Sequence, residues 1–250
     1  LMEKQVDPYL SDSASKRLAA KEIDRFKLWL KRGVMPDAAA ALERVARPLA
    51  VGTLDRKKLA AWYVTLRPLW TRAARRFSEG AAIVLSQHSS PAQLAHMRKV
   101  MVKRDLERLK KLRRPRKVRL RERTKRTVKA FERFSGSFHP RQWRLVWLQH
   151  EPLLEDWRRW LKDREHRRAA LLARLSRRPP RHELARLIQR MMQRPEDFAA
   201  PGQAASVRRR MAGFRSMLYA VIASMTAKQR ATLAVRLLSL AGQLRSLATS

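Results

Sequence analysis

Residues 98–133 constrain this chain more than any other stretch. They read RKVMVKRDLERLKKLRRPRKVRLRERTKRTVKAFER, with eighteen Lys and Arg against four acids, Asp105, Glu107, Glu122 and Glu132. The stretch has no glycine and one proline, so it reads as two helical pieces meeting at Pro115. Leu94, Met97, Met101, Leu109 and Leu112 give the first piece an apolar stripe, and Val128, Phe131 and Phe134 serve the last. Over 113–126 only Val118 and Leu120 are strongly apolar. That middle can bury little and is expected to be a solvated helix or an exposed turn. The rest of the chain reads as helices packed around the two ends.

Composition supports a helical body for this stretch. Hydrophobic residues make up 45% of the 250, a globular proportion. Ala, Leu, Arg and Lys abound, all strong helix formers, and there are seven glycines. No run of alternating β-branched residues occurs. The expected fold is all-α: an elongated bundle of about eight or nine helices with no significant sheet. One helical domain is expected over 1–178, including the basic stretch. A C-terminal helical hairpin region over 179–250 would pack on it, an arrangement compatible with a single continuous domain.

Punctuation along the chain places the helices. Residues 1–10 read as an extended lead-in, with Pro8 opposing helix. Ser11 or Ser13 can cap a helix to about Lys31 whose stripe is Ala19, Ile23, Phe26 and Leu30. A second helix starts near Pro36 and runs to about Pro48, with Gly52 and Thr53 as the next break. A long helix follows, with a bend expected at Pro68. Pro152 is expected to kink or split the tryptophan-rich segment carrying Trp143, Trp147, Trp157 and Trp160. RRPPR at 177–181 reads as a linker. The last helix, over 227–249, carries Leu233, Leu237, Leu240, Leu244 and Leu247 in a stripe that needs a partner.

Three helix starts share a pattern: Ser90-Pro-Ala-Gln93, His139-Pro-Arg-Gln142 and Thr226-Ala-Lys-Gln229. A polar cap with Gln three residues on is a capping box, and Phe138 and Met225 stand where an apolar staple would. Local capping alone accounts for each box. Across the chain these motifs, with Asp7-Pro-Tyr9-Leu10, the run Phe131-Glu-Arg-Phe134-Ser-Gly136-Ser-Phe138-His-Pro-Arg-Gln142, Trp157 and the arginine-rich helix 158–168, resemble a family of helical proteobacterial envelope lipoproteins of unknown function. His139 stands where that pattern usually has Thr. The resemblance implies a secretion signal and a lipid-modified cysteine upstream of Leu1, hence a periplasmic protein with an anchor in the outer membrane. It supplies no catalytic residues. The boxes also resemble the Leu-Thr-x-x-Gln motifs of small periplasmic stress chaperones.

Charge points to the partner class. The formal net charge is +37, which attracts anionic polymers, lipid head groups or acidic proteins. The residues expected to meet such a partner are Arg113, Arg114, Arg116, Lys117, Arg119, Arg121, Arg123, Lys125 and Arg126. An excess of fourteen positive charges over 98–133 repels itself unless a counter-charge sits against it.

Signatures of catalysis are missing from the sequence. There is no cysteine, no HExxH, no phosphate-cradling glycine loop and no GxSxG. None of the six histidines has another at i+3 or i+4. Glu151, Glu155 and Asp156 lie near Trp157, where ion pairs to Arg158, Arg159 and Lys162 are expected. The tryptophans are expected in the core, with stacking on a ligand as the alternative. The longest near-continuous apolar run, MLYAVIASM at 217–225, is far short of the roughly 20 residues of a membrane span. The reading is therefore a non-enzymatic envelope protein without cofactor or metal that binds an anionic component. Nonspecific nucleic-acid binding and a chaperone-like role are the alternatives.

Overall fold

A computed structural model describes residues 2–154 and 156–249, without the side chains of Glu3, Lys111, Asp156 and Trp157. Among the described residues there are eleven α-helices and no strand. They are α1 (Met2–Val6), α2 (Ser13–Gly33), α3 (Met35–Ala50), α4 (Arg56–Gln87), α5 (Pro91–Leu112), α6 (Arg116–Ser135), α7 (Pro140–His150), α8 (Asp156–Leu175), α9 (Arg181–Gln193), α10 (Ala204–Ala223) and α11 (Ala227–Thr249). The all-α expectation holds, with more helices than expected. α1 and a 3-10 turn at Asp7–Tyr9 fold where an extended lead-in was expected.

Proline punctuation acts in two ways. Pro115 separates α5 from α6, and Pro152 sits in a 3-10 turn, Glu151–Leu153, after α7. Pro68, by contrast, lies inside an unbroken α4. The carbonyl that loses its partner there belongs to Val64, which is exposed, so water can take its place. No helix is long and apolar enough to cross a membrane among the described residues.

The chain forms two compact units, each drawn from three stretches. Unit 1 comprises Leu1–Leu30, Thr71–Arg113 and Arg158–Arg208; unit 2 comprises Lys31–Trp70, Arg114–Trp157 and Arg209–Ser250. This grouping does not follow the 178/179 boundary read from the sequence. It also divides the basic stretch: α5 belongs to unit 1 and α6 to unit 2.

Unit 2 is closed by its two capping boxes acting together. Gln142 Oε1 accepts the His139 N–H at 2.9 Å, and Gln229 Oε1 accepts that of Thr226 at 3.0 Å. Their amide nitrogens then turn on each other. Gln142 Nε2 donates to Gln229 Oε1 at 2.9 Å, and Gln229 Nε2 donates to Gln142 Oε1 at 3.0 Å. Remaining donor capacity goes to the carbonyls of Ser224 (3.1 Å) and Ser137 (2.7 Å). Both glutamines are buried, so a fully satisfied pair stands where unmade bonds would be costly. Beneath it, Phe138 and Met225 join Val128, Val146, Met217 and Val221 in one core.

The second core of unit 2 gives the leucine stripe its partner helix, α3. α11 packs along α3, where Ala234 of α11 meets Ala46 and Leu49 of α3 in one buried cluster, and Ala241 of α11 is buried as well. Leu233 and Leu237 flank this line half-buried, and Leu247 is exposed. Small residues on both helices let them approach, with Leu49 filling the space between them.

Unit 1 uses the same local device differently. Ser90 and Gln93 form their box at 3.0 and 3.3 Å. Gln93 Nε2 then donates to Asp12 Oδ2 at 2.9 Å. Asp12, not Ser11 or Ser13, caps α2: its Oδ1 accepts the Ser15 N–H at 2.7 Å. The main core gathers Ala82, Met97, Leu172, Leu175 and Leu184 from α4, α5, α8 and α9.

Candidate anion-binding site

The basic middle of the chain is an anchored helix. α6 buries Leu120, Thr124, Val128 and Ser135, so one side is held although few residues are strongly apolar. Val118 stays exposed. The expectation that 113–126 buries little is thus corrected for Leu120, which is 1% exposed.

The nine basic residues have different fates. Arg113 lies in unit 1 and the other eight in unit 2. Arg114 pairs with Glu122 at 2.5 Å, and Arg116 with Glu151 at 3.1 Å. Glu151 therefore answers a residue 35 positions away, not the expected cations of α8. Glu155 and the side chains of Asp156 and Trp157 lie outside the described residues. Arg119 Nε donates to the Arg114 carbonyl, and Arg126 Nε to that of Glu122. Arg123 is half-buried, and burial, with Arg126 nearby, lowers its pKa. Lys117, Arg121 and Lys125 are exposed, carry no ion pair among the described residues, and are spaced by four in a row along α6. The start of α6 has Pro115 as its cap residue, no side-chain cap and no acid in its first turn. Cations beside free N–H groups oppose the helix dipole. An anion placed there would relieve both.

A second cluster, in unit 1, was not legible in the sequence. Asp105 of α5 pairs with Arg168 of α8, lies 3.5 Å from Arg164 Nε, and bonds Arg108 at 3.1 Å. Three arginines thus share one carboxylate. Arg104 lies over the Tyr9 ring at 4.4 Å and donates to its hydroxyl at 2.7 Å. Arg108 and Arg164 both lie over Trp160, at 5.6 and 5.5 Å. Burial, with Arg168 and Arg108 close by, pushes Arg164 down to about 10. Spacings of four, Arg104 with Arg108 and Arg164 with Arg168, are visible in the chain. That the two rows face one another is not.

The buried histidines are structural. His88 Nδ1 lies 3.0 Å from Ser15 Oγ and 3.2 Å from Asp12 Oδ2. Hydroxyl and carboxylate meet the same nitrogen, so no relay across the ring exists, and the ring is wholly buried. The Ser15 N–H and the Gln93 amide hold Asp12 well below the usual carboxylate range. His150 Nε2 lies 2.8 Å from Thr127 Oγ1, and burial, with Arg123 adding to it, pushes its pKa down to about 4. No group of three or more metal-ligating side chains comes together among the described residues.

A family model described as a family of unknown function (DUF6279) matches residues 9–202. The chain belongs to that family. The DUF6279 match takes in both halves of the basic stretch and the α8 arginines, and it ends before α10 and the Thr226 box. No curated protein and no solved structure matches the chain.

Proposed function

We propose that this protein is a non-enzymatic, strongly basic envelope protein that holds an anionic component of the envelope on α6. The observation that supports this most is the row Lys117, Arg121 and Lys125. These cations stand exposed, with no ion pair among the described residues, on a helix anchored by Leu120 and beside a helix start that no acid caps. Association would be electrostatic, weakly selective and steep in salt. The periplasmic setting and lipid anchor rest on the likeness to envelope lipoproteins.

The test changes Lys117, Arg121 and Lys125 together to Gln. Affinity for lipopolysaccharide and for duplex DNA should both fall. The slope of log affinity against log salt should flatten by about 0.9 for each DNA phosphate that the variant no longer neutralises. Helix content should not change, because none of the three is buried. Unchanged affinity and slope would remove α6 as the site. Fractionation that finds the native protein in the cytoplasm, bound to nucleic acid, would replace the envelope reading with the nucleic-acid one.

A further inference from the structure

Unit 1 contains a cavity of about 470 Å³, within the range of small-ligand pockets. Its wall is mostly apolar and rich in soft side chains: Phe26, Phe77, Ile188, Met97, Met191 and Met192 contribute to it. Methionines of this kind let a wall adapt to a flexible chain. The charged groups lining it are Arg76, Arg164, Arg167, Arg168 and Glu22. Glu22 is already held by Arg25 at 2.6 Å, and Arg76 by Glu79 at 3.1 Å. The other charged groups of the lining all belong to α8.

Arg164, Arg167 and Arg168 are spaced three and four apart, so one side of α8 carries all three. Arg164 and Arg168 share Asp105 with Arg108, which leaves one negative charge among three guanidiniums. Arg164 Nε and Arg168 Nη2 are buried and make no hydrogen bond among the described residues. Cations held with so little counter-charge are costly, and an anionic oxygen against the accessible edges of these guanidiniums compensates them. Arg168 and Met101 also line a groove of about 1080 Å³ between α5 and α8.

An apolar chamber beside under-compensated arginines is complementary to one kind of molecule, with an alkyl tail and an anionic head. We propose that this cavity takes one anionic single-chain amphiphile, its chain among Phe26, Phe77, Ile188 and Met191 and its head against Arg164 and Arg168. The site uses none of the α6 residues, so it goes beyond the polyanion reading and stands or falls separately.

The experiment measures binding of dodecanoate and dodecyl phosphate to the full chain below their micellar concentrations, by calorimetry. Octanoate and dodecan-1-ol are the comparators. Each buried methylene should tighten binding about four-fold, so dodecanoate should exceed octanoate by on the order of 10²-fold. Dodecan-1-ol should bind at least about ten-fold more weakly than dodecanoate. Arg164→Gln with Arg168→Gln should abolish that anion preference, while Arg236→Gln, an exposed change on α11, should not. Gly80→Leu narrows the chamber from α4. A Cβ there would stand 3.4 Å from Glu22 Oε2, an ordinary contact, and the rest of the side chain would occupy tail space. It should weaken dodecanoate more than octanoate. Equal binding of octanoate and dodecanoate, equal binding of dodecanoate and dodecan-1-ol, or a well-folded double variant with wild-type affinity would each overturn the proposal. If the double variant does not fold, the chain-length and head-group comparisons on the wild type and the Gly80→Leu result still decide.

Discussion

The two units solve the same local problem with different consequences. Each contains a helix start whose box glutamine reaches past its own helix. In unit 2 the reach is mutual: Gln142 and Gln229 satisfy one another in the interior, above a core of Val128, Val146 and Val221. In unit 1 Gln93 meets the carboxylate of Asp12, which is partly open to solvent. Unit 1 also holds the methionine-lined chamber and the α5–α8 arginines. The lesson is that one sequence motif can serve either as an interior bolt or as a peripheral tie. Which it becomes depends on what the fold brings opposite it.

The sharpest way to break this contrast is to cut a core leucine in each unit. Leu120 and Leu184 are both essentially inaccessible. Replacing either with Ala should cost roughly 2–5 kcal/mol in denaturant unfolding. Leu184 belongs to a cluster with Met97, Met101 and Ile188, all of which line the chamber. Flexible methionines can relax into the space, so Leu184→Ala should fall in the lower half of that range and Leu120→Ala in the upper. A reversed order would mean that unit 1 is the more rigid of the two.

Acid should act on both units through their buried histidines. Burial lowers the pKa of His88 and of His150, the latter from 6.5 to about 4. As pH falls through 6.5 the unfolded chain takes up protons that the folded one refuses. Stability is therefore full above that pH and declines down to the folded value. For His150 the loss should be on the order of 2–3 kcal/mol by pH 4. His150→Gln should flatten that part of the pH profile of chemical denaturation. A profile that keeps its slope would assign the acid sensitivity to His88 and unit 1.

The smallest effect separates bolt from tie. Gln229→Ala removes both amide contacts to buried Gln142 and the acceptor of the Thr226 N–H, and should cost about 2 kcal/mol. Gln93→Ala removes one box bond and one contact to a solvated carboxylate and should cost about 1 kcal/mol. A double-mutant cycle on Gln142 and Gln229 should show coupling of about 1 kcal/mol. Additive behaviour would mean that each glutamine acts only as a local cap.

The sequence by itself determined what depends on a few neighbouring residues. It specified the absence of sheet, most helix boundaries, the breaks at Pro115 and Pro152 and the three capping boxes, because caps, prolines and periodicity act within about four residues. It misread residues 2–6, which fold as α1 where an extended lead-in was expected. Only the tertiary structure decided that Gln142 meets Gln229 across 87 residues of chain. It also decided that α11 meets α3 around Ala46, Leu49 and Ala234, and that Arg168 meets Asp105 beside an apolar chamber. A helix exposes several faces of comparable composition, and in a chain of charge +37 nearly every face carries arginine. Which faces become interior is settled by close packing among distant segments. The same packing leaves Arg164 Nε and Arg168 Nη2 buried without a hydrogen bond among the described residues.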